Sequence, residues 1–286
     1  MKKTVVFILS TPYAGSHFCS LLLGSNSKAM HLGEIKILRK GPPDPNQREC
    51  FFKVGGPMET IGPHNIDQVF DIIFSAVDPK TEVLIDASKS VLGWADRFLD
   101  NDRYHRKYLH LIRDPRALVR RWTPKSTFNK RLSLRWRIIR TFPDLTPAAL
   151  TSGTDMLYAY NWLMQNRRIT EFIRHNQLDG QIVTYRDLAL DTAGQVSRLM
   201  QWIGVPYGPA QLEYWNFEHL GTQKRNYEWV KEKKTKHFDA RWKTELPVAL
   251  QDQIVQNRRI KTYLDQIGVS FAEDGLTLSH QKVAQS

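Results

Sequence analysis

Cysteine is scarce in this chain, since Cys19 and Cys50 are the only two among 286 residues. Two thiols in a chain of this length do not indicate a disulfide-stapled secreted fold, and no Cys/His spacing is typical of a zinc site. No apolar run approaches the roughly 18 residues needed to cross a bilayer. The apolar part of the opening MKKTVVFILS is also too short for a typical signal peptide. We therefore expect a soluble protein of the reducing cytoplasm, with no membrane span and no metal.

Acidic residues are too few to balance the basic ones, which leaves a net charge of +12 and a pI of about 9.7. Such a charge suits a polyanionic partner such as a nucleotide, a nucleic acid, an acidic sugar or a membrane surface. A merely basic cytosolic protein would have the same composition, so the charge alone does not decide. The stretch from Arg120 to Arg140 contains eight Lys/Arg and no acid, interleaved with aromatic residues. It suits either a lid over an anionic acceptor or a solvated surface helix.

Four short apolar runs have the pattern of strands buried on both faces of a parallel sheet: 5–9, 82–86, 108–112 and 181–185. Each is followed by a helix-like pattern, and this alternation predicts a parallel α/β sheet with helices on both faces. Further helices are predicted over 151–176 and over the stretch that Gly268 closes. We expect one domain over residues 1–268, followed by a polar, frayed tail over 269–286.

The stretch STPYAGSHFCSLLLG, residues 10–24, joins the first strand to the first helix. A glycine-containing turn at this place directs backbone N–H groups and the positive end of the helix dipole at one point, which suits a phosphate or a sulfate. The Gly-Lys-Ser/Thr ending of the nucleoside-triphosphate loop is absent. Taken alone, a turn of this kind is a weak signal and is more often structural.

A second basic motif, YLHLIRDPRALVRRW, puts Arg113 and Asp114 at the end of the third predicted strand. Ligands of open α/β sheets gather at the carboxyl ends of strands, and an arginine there can bind a phosphate with two parallel hydrogen bonds. The alternative is a structural Arg113–Asp114 pair at the surface, worth roughly 0–1 kcal/mol.

Together these segments resemble the sulfotransferases that use 3′-phosphoadenosine-5′-phosphosulfate (PAPS), over roughly residues 5–246 and in the expected order. PYAGSHF is similar to the family's 5′-phosphosulfate loop, RDPRALVRRW to its 3′-phosphate motif, and VTYRDL with IGVP to a later segment. HLGTQKRNYEWV with DARWKTEL resembles the loop that closes over the cofactor. The resemblance implies a P-loop-like three-layer α/β sandwich that binds PAPS and its product, adenosine 3′,5′-bisphosphate (PAP). The cofactor-binding residues it implies are Pro12, Tyr13, Ala14, Gly15, Ser16, His17, Phe18, Arg113, Arg121, Tyr185, Lys224 and Arg225, with Phe18 and Tyr185 beside the adenine.

Two further segments resemble the bacterial and tyrosylprotein branches of this family. HLGEIKIL implies that Glu34 is the general base, and LIDASK implies that Lys89 stabilises the transferring sulfuryl group. His17 is a further catalytic candidate, since either it or His31 could replace Glu34 as the base. A base is needed because the acceptor loses a proton as it attacks sulfur, and a cation because charge shifts to the leaving phosphate.

The chain departs from the family pattern at two positions. Tyr13 stands where the phosphosulfate loop normally carries a lysine or arginine, so the cation would come from Lys89, Arg225 or the basic insertion. Arg121 stands where the 3′-phosphate motif usually has a serine, which adds charge to that part of the site.

The predicted reaction is sulfuryl transfer from PAPS to a hydroxyl, or less readily an amine, of a small-molecule or saccharide acceptor. The loops at 36–65 and 122–150 would select the acceptor, and an anionic one would suit the basic insertion. No nucleic-acid partner is expected. One rival is a nucleotide-kinase-like phosphotransferase, which the missing loop lysine disfavours. The other is a non-catalytic relative that binds a nucleotide or nucleic acid.

Overall fold

The structure of the chain, a computed structural model, describes residues 2–40, 60–217, 219 and 238–279. Its main sheet has six strands in the order β2-β3-β4-β1-β5-β6. The short β2–β3 pair is antiparallel, and the other neighbouring strands are parallel. The strands are β1 Thr4–Ser10, β2 Ser25–Asn26, β3 Ala29–Gly33, β4 Val83–Lys89, β5 His105–Ile112 and β6 Gly180–Thr184.

The central strand β1 explains why the sheet has a layer of helices on each face. Every residue of β1 is buried, and the strand lies between β4 and β5. Val6 and Ile8 belong to an apolar cluster with the first helix, whereas Phe7 and Leu9 belong to a second cluster on the opposite face. Because successive side chains of a strand point to opposite faces, a continuous apolar run needs cover on both sides. The predicted three-layer α/β fold is confirmed.

Eleven α-helices are described in these parts of the chain. They are α1 Ser16–Gly24, α2 Val69–Ala76, α3 Pro115–Trp122, α4 Phe128–Thr141, α5 Thr146–Thr151, α6 Thr154–His175, α7 Tyr185–Leu190, α8 Thr192–Ile203, α9 Trp242–Glu245, α10 Val248–Val255 and α11 Arg258–Gln266. In a third apolar cluster, α3, α4 and α6 pack together beside β5. None of the described helices is both long enough and apolar enough to cross a membrane.

Three local predictions need correction. The helix expected directly after β4 is only a short 3-10 helix over Ala95–Phe98, and the connecting α-helix, α2, comes before β4 instead. The helix expected near the end of the chain is two helices, α10 and α11, because Asn257 interrupts it and caps α11 by accepting a hydrogen bond from Ile260 N. Strands β2 and β3 were not predicted.

The polar tail predicted from Val269 is also wrong for the residues that the structure describes. Val269–Ala272 and Gly275–Leu278 form an antiparallel hairpin, β7–β8. Val269 and Leu276 are fully buried in the third apolar cluster. The carboxylate of Asp187 on α7 accepts hydrogen bonds from Thr277 Oγ1 at 2.8 Å and from Leu278 N at 3.0 Å. The hairpin is therefore part of the fold, and residues 280–286 lie outside the described part.

Candidate functional site

Most of the predicted site residues lie at one edge of the sheet, because the carboxyl ends of its parallel strands meet there. The turn of residues 11–15 follows β1, Glu34 follows β3, and Lys89 ends β4. Arg113 follows β5, and Tyr185 follows β6. Ligands of open α/β sheets bind at this edge.

The turn after β1 has the backbone geometry of an anion-binding loop. Tyr13 has φ +68° and Gly15 has φ +99°, so the chain passes twice through the left-handed region before α1 begins. No side chain caps α1, and its first turn contains no acid. The positive end of the helix dipole is therefore left without a negative group of the helix itself.

Gly15 is required in this turn for two reasons. A positive φ disfavours any residue with a Cβ. A Cβ on Gly15 would also lie 2.7 Å from Cδ2 of Tyr185, too close for the ring to stay in place. The turn after β1 is therefore packed directly against the first residue after β6.

Arg113 connects three parts of this edge. Its Nη1 donates to the carbonyl oxygen of Tyr13 at 2.9 Å, and its Nη2 donates to Oδ2 of Asp239 at 3.0 Å. Its guanidinium carbon lies 4.1 Å from the ring centroid of Tyr185. The Arg241 and Arg113 guanidinium groups beside Asp239 hold the pKa of that carboxyl far below its usual range. Arg113 is thus a fixed cation next to the turn, and Asp239, which sequence analysis missed, is its carboxylate partner.

The alternative Arg113–Asp114 pair is wrong. Asp114 instead caps α3 by accepting from Arg116 N at 2.8 Å, and it forms a buried ion pair with the Arg116 guanidinium at 2.7 Å. Asp114 therefore has a structural role, and it is not the ion-pair partner of Arg113.

The two aromatic residues predicted beside the adenine differ in position. Phe18 is buried in the apolar core, with its ring centroid 6.1 Å from that of Tyr214. Tyr185 lies at the edge itself, where its ring stacks with Phe238 at 6.2 Å and its hydroxyl accepts from Asp239 N at 3.1 Å. The predicted roles of Phe18 and Tyr185 beside the adenine both stay predictions.

Glu34 and Lys89 form an ion pair across the ends of β3 and β4. Because the two strands are parallel neighbours, the residues that follow them come together. Lys89 has φ +66°, a left-handed conformation at the point where β4 ends. The pair lines a cavity of about 480 Å³, which Pro12 and Tyr13 of the turn also line. Two of the three residues predicted to be catalytic, Glu34 and Lys89, thus lie beside the turn.

Sequence analysis missed a set of polar residues around Asp86 and Lys36, of which Lys36 lines this cavity. Asp86 is buried, accepts from Ser88 N at 2.9 Å and Trp94 Nε1 at 2.5 Å, and its burial raises its pKa to about 6. Lys36 donates to the carbonyl oxygen of Ser88 at 2.7 Å and to Oγ of Ser90 at 2.8 Å, and burial lowers its pKa. The only sequence signal for Lys36 was a second charged residue in the segment HLGEIKIL.

Three histidines, His17, His31 and His219, lie close to one another near the turn after β1. His31 is fully buried on β3, and its Nδ1 is hydrogen-bonded to Ser20 Oγ. Its ring centroid lies 4.9 Å from that of His17 and 5.6 Å from that of His219. Burial, with the neighbouring histidines, lowers the pKa of His31 well below its usual value. His31 is therefore neutral and enclosed, which does not suit the base role considered for it, and the catalytic role of His17 stays a prediction.

Two cations lie over the ring of Tyr13, the residue that replaces the usual basic one. The guanidinium carbon of Arg121 is 4.9 Å from the ring centroid, and the ammonium nitrogen of Lys125 is 5.5 Å from it. Lys125 belongs to the basic insertion, one of the three predicted sources of the missing cation. Lys224 and Arg225 lie outside the described residues. Within the described residues, no group of three or more His, Cys, Asp or Glu side chains is placed to hold a metal ion.

Comparison with known proteins identifies the fold of the chain. No family model and no curated protein matches the chain. Among solved structures, the sulfotransferase domain of the Synechococcus PCC 7002 olefin synthase superposes with a TM-score of 0.61 at 18% identity, over 92% of this chain and 96% of that one. The chain has the sulfotransferase fold. The sulfotransferase domain of the curacin biosynthetic pathway superposes with a TM-score of 0.56 at 16% identity, over 92% of this chain and 97% of that one.

Proposed function

We propose that this protein is a PAPS-dependent sulfotransferase. The observation that carries the proposal is the convergence, at one sheet edge, of an uncapped glycine turn, Arg113 and the Glu34–Lys89 pair. A glycine turn at a helix N-terminus and an adjoining arginine are donors for the phosphate groups of a nucleotide. The carboxylate and the ammonium group beside them are the two groups that transfer to an acceptor hydroxyl needs.

The residues present fit the two anionic ends of the cofactor. The turn from Pro12 to His17 and the N-terminus of α1 would hold the 5′-phosphosulfate, since no acid lies in the first turn of α1. Arg113 and Arg121 would hold the 3′-phosphate. Lys224 and Arg225 remain predicted contacts on the basis of sequence alone. When bound, PAPS supplies the activated sulfuryl group.

In the proposed reaction, Glu34 accepts the proton of the acceptor hydroxyl. The acceptor oxygen forms the new bond to sulfur, and the bond between sulfur and the bridging phosphate oxygen breaks. Lys89 donates to the oxygens that gain charge in this step. The ion pair of Glu34 with Lys89 keeps the proposed base and the proposed cation next to each other in the cavity.

The lining of the cavity supports a small acceptor that carries a negative group. Its charged lining residues are Glu34 and the three cations Lys36, Lys89 and Arg168. Within the described residues, Lys36 and Arg168 donate only to neutral oxygens, with Arg168 Nη2 at 3.0 Å from Thr141 Oγ1. These two cations would attract a carboxylate, sulfate or phosphate of a small-molecule or saccharide acceptor. The cytoplasmic location and the single domain over 1–268 remain predictions.

The test combines calorimetry with PAP and transfer of labelled sulfate from PAPS to a panel of hydroxylated and amino acceptors. We expect saturable PAP binding, with turnover lost in Lys89→Met and Glu34→Gln. The matched control is the ion pair Lys28–Glu82, in which Lys28 Nζ lies 2.8 Å from Glu82 Oε1. These residues precede β3 and β4, so the pair lies at the amino ends of the strands that carry Glu34 and Lys89 at their carboxyl ends. Lys28→Met should leave binding and turnover unchanged. Absence of PAP binding would refute the proposal.

A non-catalytic binder of nucleotides or nucleic acid is the second candidate, favoured by Tyr13 in the turn and by the net charge of +12. It predicts DNA or RNA affinity that falls steeply with salt and no sulfate transfer. PAP binding without any transfer would favour this candidate.

A further inference from the structure

Helix α4 carries a stripe of large apolar side chains on its outer face. Phe128 is 69% exposed, Leu132 47% and Trp136 60%. The three residues are four positions apart, so they lie within about 80° of one another around the helix. Single exposed apolar residues are ordinary, whereas three in a row on one helix indicate a contact surface.

The inner face of α4 already has its own core contacts. Leu134 and Ile138 are buried, and they belong to the apolar cluster that α4 shares with α3 and α6. Arg135 further fastens the helix by donating to the backbone oxygen of Ser152 at 2.9 Å. The inner face therefore anchors the helix to the core without help from Phe128, Leu132 and Trp136. Core packing does not explain why these three outer residues are apolar.

The charges around the stripe identify the kind of surface that would cover it. The sequence contains no acid from Pro115 to Pro143, and Lys130, Arg137 and Arg140 of α4 are all exposed. A second copy of this chain would meet the same concentration of positive charge and be repelled.

A helix that combines an aromatic and leucine face with a cationic face is typical of proteins that lie in the interface of an anionic bilayer. Trp and Phe rings suit the headgroup region, and long Lys and Arg side chains can keep their charges in water beside it. We propose that α4 is a membrane-docking helix, which inserts Phe128, Leu132 and Trp136 into the surface of a membrane containing anionic lipids.

The residues at the two ends of α4 lie close to residues that line the cavity at the sheet edge. Thr141, the last residue of α4, accepts a hydrogen bond from Arg168, which lines that cavity. Lys125, three residues before α4, lies over the ring of Tyr13 in the turn. Docking through α4 would therefore bring the cavity close to the membrane surface. The docking itself does not depend on the proposed sulfotransferase activity.

The test is co-sedimentation of the full chain with vesicles of phosphatidylcholine alone or mixed with phosphatidylglycerol. We expect binding to the mixed vesicles only, and a loss of affinity of about tenfold or more in Phe128→Ser/Leu132→Ser/Trp136→Ser. The matched control is Leu190→Ser/Val248→Ser, which removes two isolated apolar residues that are 51% and 70% exposed on other helices. Circular dichroism would verify that each variant is folded.

A second set of variants separates insertion from simple charge attraction. Lys130→Gln/Arg137→Gln/Arg140→Gln should also weaken binding to the mixed vesicles, and added salt should weaken it further. No binding to the mixed vesicles would overturn the proposal, as expected if an acidic protein covers the stripe instead. Equal binding by the wild type and the Phe128/Leu132/Trp136 variant would overturn it as well, because the stripe would then contribute nothing.

Discussion

Replacing Tyr13 by glycine would show whether its ring organises the cations that the turn otherwise lacks. Arg121 and Lys125 lie 4.9 and 5.5 Å from the ring centroid, and Tyr13 itself is 46% exposed. A cation–π contact at so exposed a site is worth about 0.5–1 kcal/mol. The two together amount to about 1–2 kcal/mol, which is about a 5- to 30-fold change in an equilibrium constant. Under the proposed function, we expect PAP affinity to fall by this factor.

The same variant should remain folded. Relief of the φ of +68° favours glycine by about 1–2 kcal/mol, while the greater freedom of glycine in the unfolded chain costs about 0.5–1 kcal/mol. Loss of the two cation–π contacts costs about 1–2 kcal/mol more in the folded protein. The free energy of unfolding should therefore change by no more than about 2 kcal/mol, and thermal denaturation would measure it. A loss of affinity could then be assigned to the ring and not to misfolding.

The assay is calorimetric titration of PAP into the wild type, Tyr13→Gly, Tyr13→Phe, Lys125→Gln and the double variant Tyr13→Gly/Lys125→Gln. Tyr13→Phe keeps the ring and should bind like the wild type. The double variant should lose less than the sum of its two single losses, because both remove the same contact. Wild-type affinity in Tyr13→Gly, or an equal loss in Tyr13→Phe, would refute the reasoning.

Three further predictions follow from the site and its support. We expect Lys89→Met to lower kcat by about 100- to 1000-fold and Glu34→Gln to lower it by at least about 100-fold, measured by transfer kinetics. Calorimetry should find the PAP affinity of both variants within about threefold of the wild type. Equal losses of affinity and turnover would contradict these roles. Gly15→Ala should lower the Tm by several degrees more than Gly204→Ala does. The two glycines have similar φ values, +99° and +93°, but only at Gly15 would the added Cβ collide with the Tyr185 ring. Equal Tm shifts would show that the contact between Gly15 and Tyr185 does not matter. Because burial raises the pKa of Asp86 from 3.8 to about 6, the folded chain binds this proton more tightly than the unfolded chain does. The stability of the wild type relative to Asp86→Asn should therefore fall as the pH rises through this window, and urea unfolding at several pH values would measure it; a constant difference would contradict the assignment.

The sheet was predictable because its long parallel strands are continuous apolar runs, and such runs need cover on both faces. Strand β3 escaped prediction because it is short and carries a histidine, a polar residue whose complete burial only the folded structure reveals. The β7–β8 hairpin was missed because its segment has a polar composition, and only its contacts with Asp187 and the third cluster explain its order.

Within the site, the positions at strand ends could be predicted, whereas the contacts between distant segments could not. The turn after β1 and Arg113 follow recognisable strands, so their common edge was foreseeable. The proximity of Glu34 and Lys89 followed only from the resemblance to a known family. The pairing of Arg113 with Asp239 joins residues 126 positions apart, and no local pattern specifies it.

The hairpin at the end of the described chain supports the edge of the sheet where the predicted site residues lie, although the hairpin is far from most of them in sequence. Thr277 and Leu278 hold Asp187 in place, two residues after Tyr185, and the Tyr185 ring in turn fixes how closely the backbone of Gly15 can approach. A shortened protein ending near residue 268 would thus lose the contacts that hold Asp187, and with them part of the support of the turn after β1. Natural variation around position 277 is accordingly expected to influence ligand affinity without any direct contact with the ligand.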